Sequence, residues 1–197
     1  MIKLTGLSKK YGKTLVVDDA SAMFPKGEVT SIIGPNGAGK STLLSMASRL
    51  TESDAGEVVI GDKLLAEWDT KELAKHLAVL RQSNNINMRF TIRELVCFGR
   101  FPHSQGRLKD EDHKIVDTAL EHLGITDIQN KYLDELSGGQ RQMAFIAMVV
   151  AQDTDYVFLD EPLNNLDIKH SVEIMQTLRR LAPVSYTHLT LPTKPKV

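Results

Sequence analysis

The chain has 197 residues, 42% hydrophobic and 25% charged, with a formal net charge of −1. That length suits one sizeable α/β domain, and the even charge excludes a general attraction to nucleic acid or to an anionic membrane surface. Cys97 is the only cysteine, which excludes an internal disulfide, suits a reducing compartment and reads as a half-buried helical residue.

No stretch approaches the ~18 consecutive apolar residues a membrane-spanning helix needs. Residues 143–151 form the longest apolar run and read as a buried helix. Met1-Ile2-Lys3-Leu4 opens on a strand-like pattern with no signal peptide. The expectation is a cytoplasmic protein that reaches any membrane through a partner.

In chain order, apolar runs at 2–7 and 14–17 flank a turn at Tyr11-Gly12-Lys13, and Pro25-Lys26-Gly27-Glu28 is a second turn. Residues 29–33 read as a buried strand stopping at Gly34. From Lys40 the apolar spacing Leu43, Leu44, Ala47, Leu50 is helical. Strands follow at 57–60 and 63–65 around Gly61-Asp62, then a helix over 70–75 and a strand over 77–80 ending at Arg81-Gln82. About 84–135 reads as an all-helical insert. Thr91-Ile92-Arg93-Glu94 is a capping box within it, and a helix from Asp110 carries Ile115, Val116, Ala119, Leu120 and Leu123 on one face before Gly124. A β-type run covers 156–159, and Ile168, Val172, Met175, Leu178 and Leu181 mark an amphipathic helix. After Ala182 the chain turns rich in threonine and proline, and 184–193 resembles a translated sequencing-library adapter. Residues 1–182 are therefore expected to be the domain, incomplete at its C-terminus, and 183–197 a non-native tail.

Gly34-Pro35-Asn36-Gly37-Ala38-Gly39-Lys40-Ser41 fits G-x-x-x-x-G-K-S/T between a strand and a helix, the context of a phosphate-binding loop. The glycines let successive N–H groups turn inward toward a polyphosphate, and the helix adds its positive end. Lys40 would supply charge to the β- and γ-phosphates, and Ser41 a hydroxyl to magnesium. Asp160-Glu161 follows the 156–159 run. Two carboxylates at the C-terminal end of a strand suit a Mg2+ ligand, Asp160, beside a base that polarises water, Glu161. Leu136-Ser137-Gly138-Gly139-Gln140 is a second glycine loop feeding a helix N-terminus, hence a second anion site. One chain rarely needs two such sites for one nucleotide, so two chains head to tail would bring this loop to the partner's γ-phosphate.

In this order the motifs resemble the ATPase subunit of ATP-binding-cassette transporters, over residues 1 to about 182, and the second glycine loop matches that family's signature without a mismatch. The resemblance implies an α/β P-loop NTPase fold with an N-terminal antiparallel β portion and a helical insert. It implies ATP and Mg2+ as cofactors and ATP hydrolysis as the activity. Tyr11 becomes the aromatic that stacks on adenine, and Thr42 joins residues 34–41 in binding nucleotide. Gln82 becomes the magnesium-touching relay to the insert, and Asn165-Leu166-Asp167 a loop facing the opposite subunit. The implied partners are a second copy of the chain, a transmembrane permease docked around residues 89–101, and indirectly a substrate-binding protein, at the cytoplasmic face of the membrane and without nucleic acid.

A finer resemblance, to bacterial iron–siderophore importers, rests on Phe98-Gly99-Arg100-Phe101-Pro102-His103, Gln152-Asp153-Thr154-Asp155 and Glu161-Pro162-Leu163-Asn164-Asn165-Leu166-Asp167. Importers of haem and cobalamin share parts of it. Among the six histidines, His76, His103, His113, His122 and His170 read as solvated and none as a metal ligand. The family's further strand ends in a histidine that contacts the γ-phosphate. His188 comes too early and lacks the preceding basic–glycine turn, so it is not assigned that role. A DNA- or ribosome-acting relative would need a second cassette or a coiled-coil insert, and a non-hydrolysing module would lack Lys40 or Glu161. An inactive truncated fragment is the remaining alternative.

Overall fold

The computed structural model describes residues 1–82, 89–163, 166, 168–181 and 187–190. Its N-terminal part is an antiparallel hairpin of β1 (Ile2–Tyr11) and β2 (Thr14–Phe24), longer than the runs predicted from sequence. Ser8-Lys9-Lys10 breaks the apolar alternation, but pairing continues through register shifts between Leu4 and Lys10. β3 (Val29–Ser31) leads toward α1 (Lys40–Ala47), and β4 (Ala55–Ile60) with β5 (Lys63–Leu64) completes an antiparallel sheet of order β2-β1-β4-β5.

The second sheet is parallel, in the order β3-β8-β7-β6, from β6 (Leu77–Leu80), β7 (Tyr156–Leu159) and β8 (Thr187–Thr190). The strands predicted at 77–80 and 156–159 have the expected bounds, β6 at one edge of the sheet and β7 inside it. All four residues of β7 are buried because the sheet is covered on both faces. Val157 and Leu159 join the core shared with the helical insert, while Tyr156 and Phe158 join the core under the antiparallel sheet. β3 differs from expectation. It stands at the edge of the sheet, it is half-buried, and Ile33 beyond it is 80% exposed.

The insert packs α3 (Ile92–Phe98) and α5 (Asp110–His122) against α6 (Gly138–Ala151), while the short α4 (Phe101–Ser104) lies against the helix over Thr70–His76. The Thr91–Glu94 capping box forms, Gly124 closes the α5 region at φ 64°, and the 143–151 run is the buried length of α6. Burial pushes the Cys97 thiol up, so its half-buried place on α3 is that of a small hydrophobe. α2 (Thr70–His76) precedes β6, and α7 (Ile168–Leu181) follows β7. The buried stripe of α7 is Ile174, Thr177 and Leu178, and Val172 is exposed. The expected face is thus rotated toward the insert core, where Ile174 and Leu178 pack.

Two of the solvent-accessible histidines also have hydrogen-bond partners. His76 Nδ1 lies 2.6 Å from Asp155 Oδ2, with its ring 4.9 Å from that of Trp68, and Lys26 Nζ donates to the other Asp155 oxygen. His103 Nε2 donates to the Gln152 carbonyl. Asp155 sits where chain turns converge before β7, and it recruits cations a one-dimensional pattern does not bring near. Among the described residues no group of three or more His, Cys, Asp or Glu could hold a metal ion, and no helix is long and apolar enough to cross a membrane.

Candidate nucleotide site

The loop between β3 and α1 carries the glycine motif, and its backbone explains the glycines. Gly37 and Gly39 lie at φ 80° and 82°, the left-handed region where other residues are strained. At Gly39 there is also no room: a Cβ would come within 2.6 Å of the Val16 carbonyl oxygen. The loop thus rests directly on β2 and hands its last glycine to the N-cap of α1. Lys40 Nζ folds back to donate to the Gly34 and Pro35 carbonyls at 2.9 and 3.0 Å, curling the loop around its own ammonium.

At the neighbouring strand end, Ser41 Oγ donates to Asp160 Oδ1 at 2.9 Å, joining the glycine loop to the strand-end carboxylate. Gln82, just beyond β6, donates from Nε2 to Glu161 Oε2. Glu161 itself holds a φ of 50°, a strained value for a non-glycine residue at the bend after β7. A cleft of about 220 Å³ opens here, and Tyr11, Ser41, Thr42, Arg81, Gln82 and Asp160 line it. Tyr11 closes one side, 51% exposed at the end of β1, with Lys9 Nζ 5.8 Å from its ring centre. Lys9 is in turn held by Asp54 at 2.8 Å, and Asp54 also accepts from the Lys10 N–H, contacts that hold its carboxyl below the usual range.

Ser41, Asp160 and Gln82 present a hydroxyl, a carboxylate and an amide, all hard oxygen donors at one spot. That set suits a Mg2+ ion completed by phosphate oxygens and water and is too sparse for an all-protein cation cage. Glu161 stands beside it with a carboxylate able to accept a proton from water.

The second glycine loop lies elsewhere. None of Leu136–Gln140 lines the cleft. Ser137 is the N-cap of α6: its Oγ accepts from the Gln140 N–H at 3.2 Å, and Gln140 Oε1 accepts from the Ser137 N–H. Among the described residues, nothing beyond its chain neighbours and its own helix backbone comes within 4 Å of a Cβ placed on Gly138. No crowding among the described residues therefore requires a glycine there. Residues Asn164, Asn165 and Asp167 of the loop after Glu161 lie outside the described residues. The backbone of His188 is level with Val157, three residues short of Asp160, or about 10 Å along the strand. Arg81, which lines the cleft beside Gln82, was missed in the sequence, where only its adjacency to a strand end could have flagged it.

A phosphate loop between a parallel strand and a helix, with a strand-end carboxylate bonded to its serine, defines a P-loop nucleotide hydrolase. The ABC transporter family profile matches residues 17–164, and the chain belongs to that family, whose cassettes bind and hydrolyse ATP. It is 59% identical over 181 residues to the petrobactin import ATP-binding protein YclP of Bacillus subtilis (strain 168), covering 92% of this chain and 72% of that one. It is 45% identical over 173 residues to the iron(3+)-hydroxamate import ATP-binding protein FhuC of the same organism, covering 87% of this chain and 64% of that one. Among solved structures, a dimeric bacterial ABC transporter cassette superposes with a TM-score of 0.85 at 29% identity, covering 98% of this chain and 88% of that one.

Proposed function

We propose that the protein is the ATP-hydrolysing subunit of an importer for iron–siderophore complexes, working as a head-to-tail homodimer beneath a membrane permease at the cytoplasmic face. The observation that carries the reading is the division of labour between the two glycine loops. One brings Ser41 and Thr42 to a cleft shared with Asp160 and Gln82, and the other contributes no residue to that cleft. A cassette whose own cleft lacks the second loop is complete only when a partner supplies it. The cargo assignment is supported by the names of the two relatives, importers of petrobactin and of iron(3+)-hydroxamate.

In the closed pair, residues 34–42 bind the triphosphate through backbone N–H groups, and Lys40 leaves its own carbonyls for the β- and γ-phosphates. Tyr11 stacks on the base. Ser41, Asp160 and Gln82 would hold Mg2+, which supplies charge neutralisation on the phosphate oxygens. Glu161 orients a water and takes its proton as the oxygen bonds to the γ-phosphorus. The bond to the β–γ bridging oxygen breaks, and ADP and phosphate leave. Ser137–Gln140 of each chain contacts the other's γ-phosphate, so hydrolysis undoes the closure. Closure is relayed to the permease through the insert around residues 89–101, with a substrate-binding protein delivering cargo on the far side.

The test is reconstitution in liposomes with the permease and binding protein of a petrobactin or ferric-hydroxamate importer. ATP turnover is expected to rise when iron-loaded petrobactin or a ferric hydroxamate is added. Stimulation by haem or cobalamin instead would overturn the cargo reading.

A further inference from the structure

The junction between α3 and α4 is pressed against the C-terminal end of α6. A Cβ on Gly99 would lie 2.1 Å from the Met148 carbonyl oxygen, although the backbone there is ordinary right-handed helix. Glycine is required at this position by proximity alone. The next residue, Arg100, is one of the few buried charges, 6% exposed. Its Nε donates to Asp112 Oδ1 of α5 at 2.9 Å, and its Nη1 donates to the carbonyls of Ala151 and Gln152 at 3.0 and 3.4 Å. Asp112 is fixed in turn by the Lys109 N–H, and that bond, with Arg100, holds its carboxyl below the usual range. His103 donates to the same Gln152 carbonyl, and the Gln152 side chain donates to the Ala74 and Leu77 carbonyls, where α2 passes into β6.

These contacts meet at the one end of α6 whose backbone carbonyls lack helical partners, and a cation there also complements the helix dipole. Burial of an ion pair is a poor source of stability, since apolar residues of similar size serve as well or better. What the planar, forked guanidinium adds is direction: it binds α5 and α6 at once in one geometry. The opposite end of α6, about 21 Å away, carries Ser137–Gln140.

We propose that Arg100, seated by Gly99, is a positioning residue that locks the helical insert to α6 and so sets the aim of the Ser137–Gln140 loop at the partner's nucleotide. The proposal rests on the partner-facing reading of that loop. Arg100 touches no substrate; it acts through the direction of α6.

The test uses the full chain carrying Glu161→Gln as parent, with dimerisation in Mg-ATP followed by analytical ultracentrifugation and ATP binding by calorimetry at concentrations where the parent is monomeric. Arg100→Lys keeps the charge beside Asp112 but cannot reach both partners. Arg100→Met with Asp112→Leu removes both charges without leaving either one buried alone. Both are expected to bind ATP within about twofold of the parent while dimerising at least about tenfold more weakly, and to speed hydrogen exchange at residues 138–141 but not at 40–44. A merely structural role would move ATP binding and dimerisation together. Dimerisation by Arg100→Lys within about twofold of the parent overturns the proposal, and that variant decides if the double variant fails to fold. A parent that does not dimerise with ATP overturns the partner-loop reading and the proposal with it.

Discussion

Ser41 and Asp160, 119 residues apart in the chain, share a 2.9 Å hydrogen bond at the mouth of the nucleotide cleft. That contact joins the loop that would cradle phosphate to the strand end that would hold metal. The expected consequences of this arrangement can be measured.

Lys40→Ala should weaken Mg-ATP binding by about 1.5–3 kcal/mol, roughly 10- to 150-fold in Kd. The ammonium sits within the loop, bonded to Gly34 and Pro35, and has only to turn outward to reach phosphate. Calorimetric titration reads the change, and an unchanged Kd sinks the assignment of the loop.

Glu161→Gln should lower turnover by roughly 10²–10⁴-fold while ATP binding persists, so that an ATP-bound dimer accumulates. Size-exclusion chromatography with and without ATP detects it. Hydrolysis near the parent rate would mean that another group activates the water.

Gly39→Ala combines two penalties at one atom. The left-handed backbone costs about 1–2 kcal/mol for a residue with a Cβ, and the added carbon meets the Val16 carbonyl at 2.6 Å. Urea unfolding should show a loss of at least that size, and the loop should lose ATP affinity as it lifts from β2. Parental stability would show that the loop can shift away from β2 freely.

Asp155 gives stability a defined pH window. Burial alone would raise its pKa, but the bonds from Lys26 and His76 outweigh it and hold the carboxyl below its ordinary value. A depressed acid stabilises the fold above its unfolded pKa of about 3.9 and loses that contribution as pH falls through the folded value. Lys26, raised by the hydrogen bond to Asp155, contributes below about pH 10.4 and loses it as pH rises further. Asp155→Asn should therefore lower Tm by about 1–3 °C near neutrality, a modest figure for partly exposed groups, with the gap closing below pH 4. A gap that does not shrink at all as pH falls below the ordinary carboxylate range would assign the effect to packing.

Replacing residues 183–197 with the C-terminal segment of a relative should raise both Tm and ATP turnover. Cutting after Ala182 should abolish cooperative folding, because β8 pairs β3 on one side and β7 on the other. Each buried group left unpaired costs about 1–3 kcal/mol, against ~5–15 kcal/mol for a whole domain. Equal Tm and turnover in the replaced and parent chains would show the tail to be the domain's own strand.

Where local chemistry decides, the sequence was readable. The Thr91 capping box and the Gly124 stop need only neighbours to form, and β6 and β7 announce themselves as short apolar runs although they pair across 79 residues. Residues 34–41 carried their own context for the same reason. That Gln82 belongs to the site came only through family resemblance, and its bond to Glu161, 79 residues away, was not foreseen, because nothing in either segment names the other. The Arg100 junction was quoted within a motif but not understood, since its partners lie on α5 and past the end of α6. The burial of α7 was misjudged because two apolar stripes were available and the insert core selected one.

β8 carries one further lesson. Sequence similarity to YclP spans 181 residues, whereas superposition on a dimeric cassette spans 98% of the chain. A slot between two parallel strands offers main-chain donors and acceptors on both sides and asks little of side-chain identity, so it selects for extended backbone rather than for ancestry. Any extended strand seated between β3 and β7 would superpose there, so agreement of shape in this corner of the molecule says little about relatedness. A short peptide of unrelated sequence, supplied on a separate chain, is the kind of object such a slot would accept.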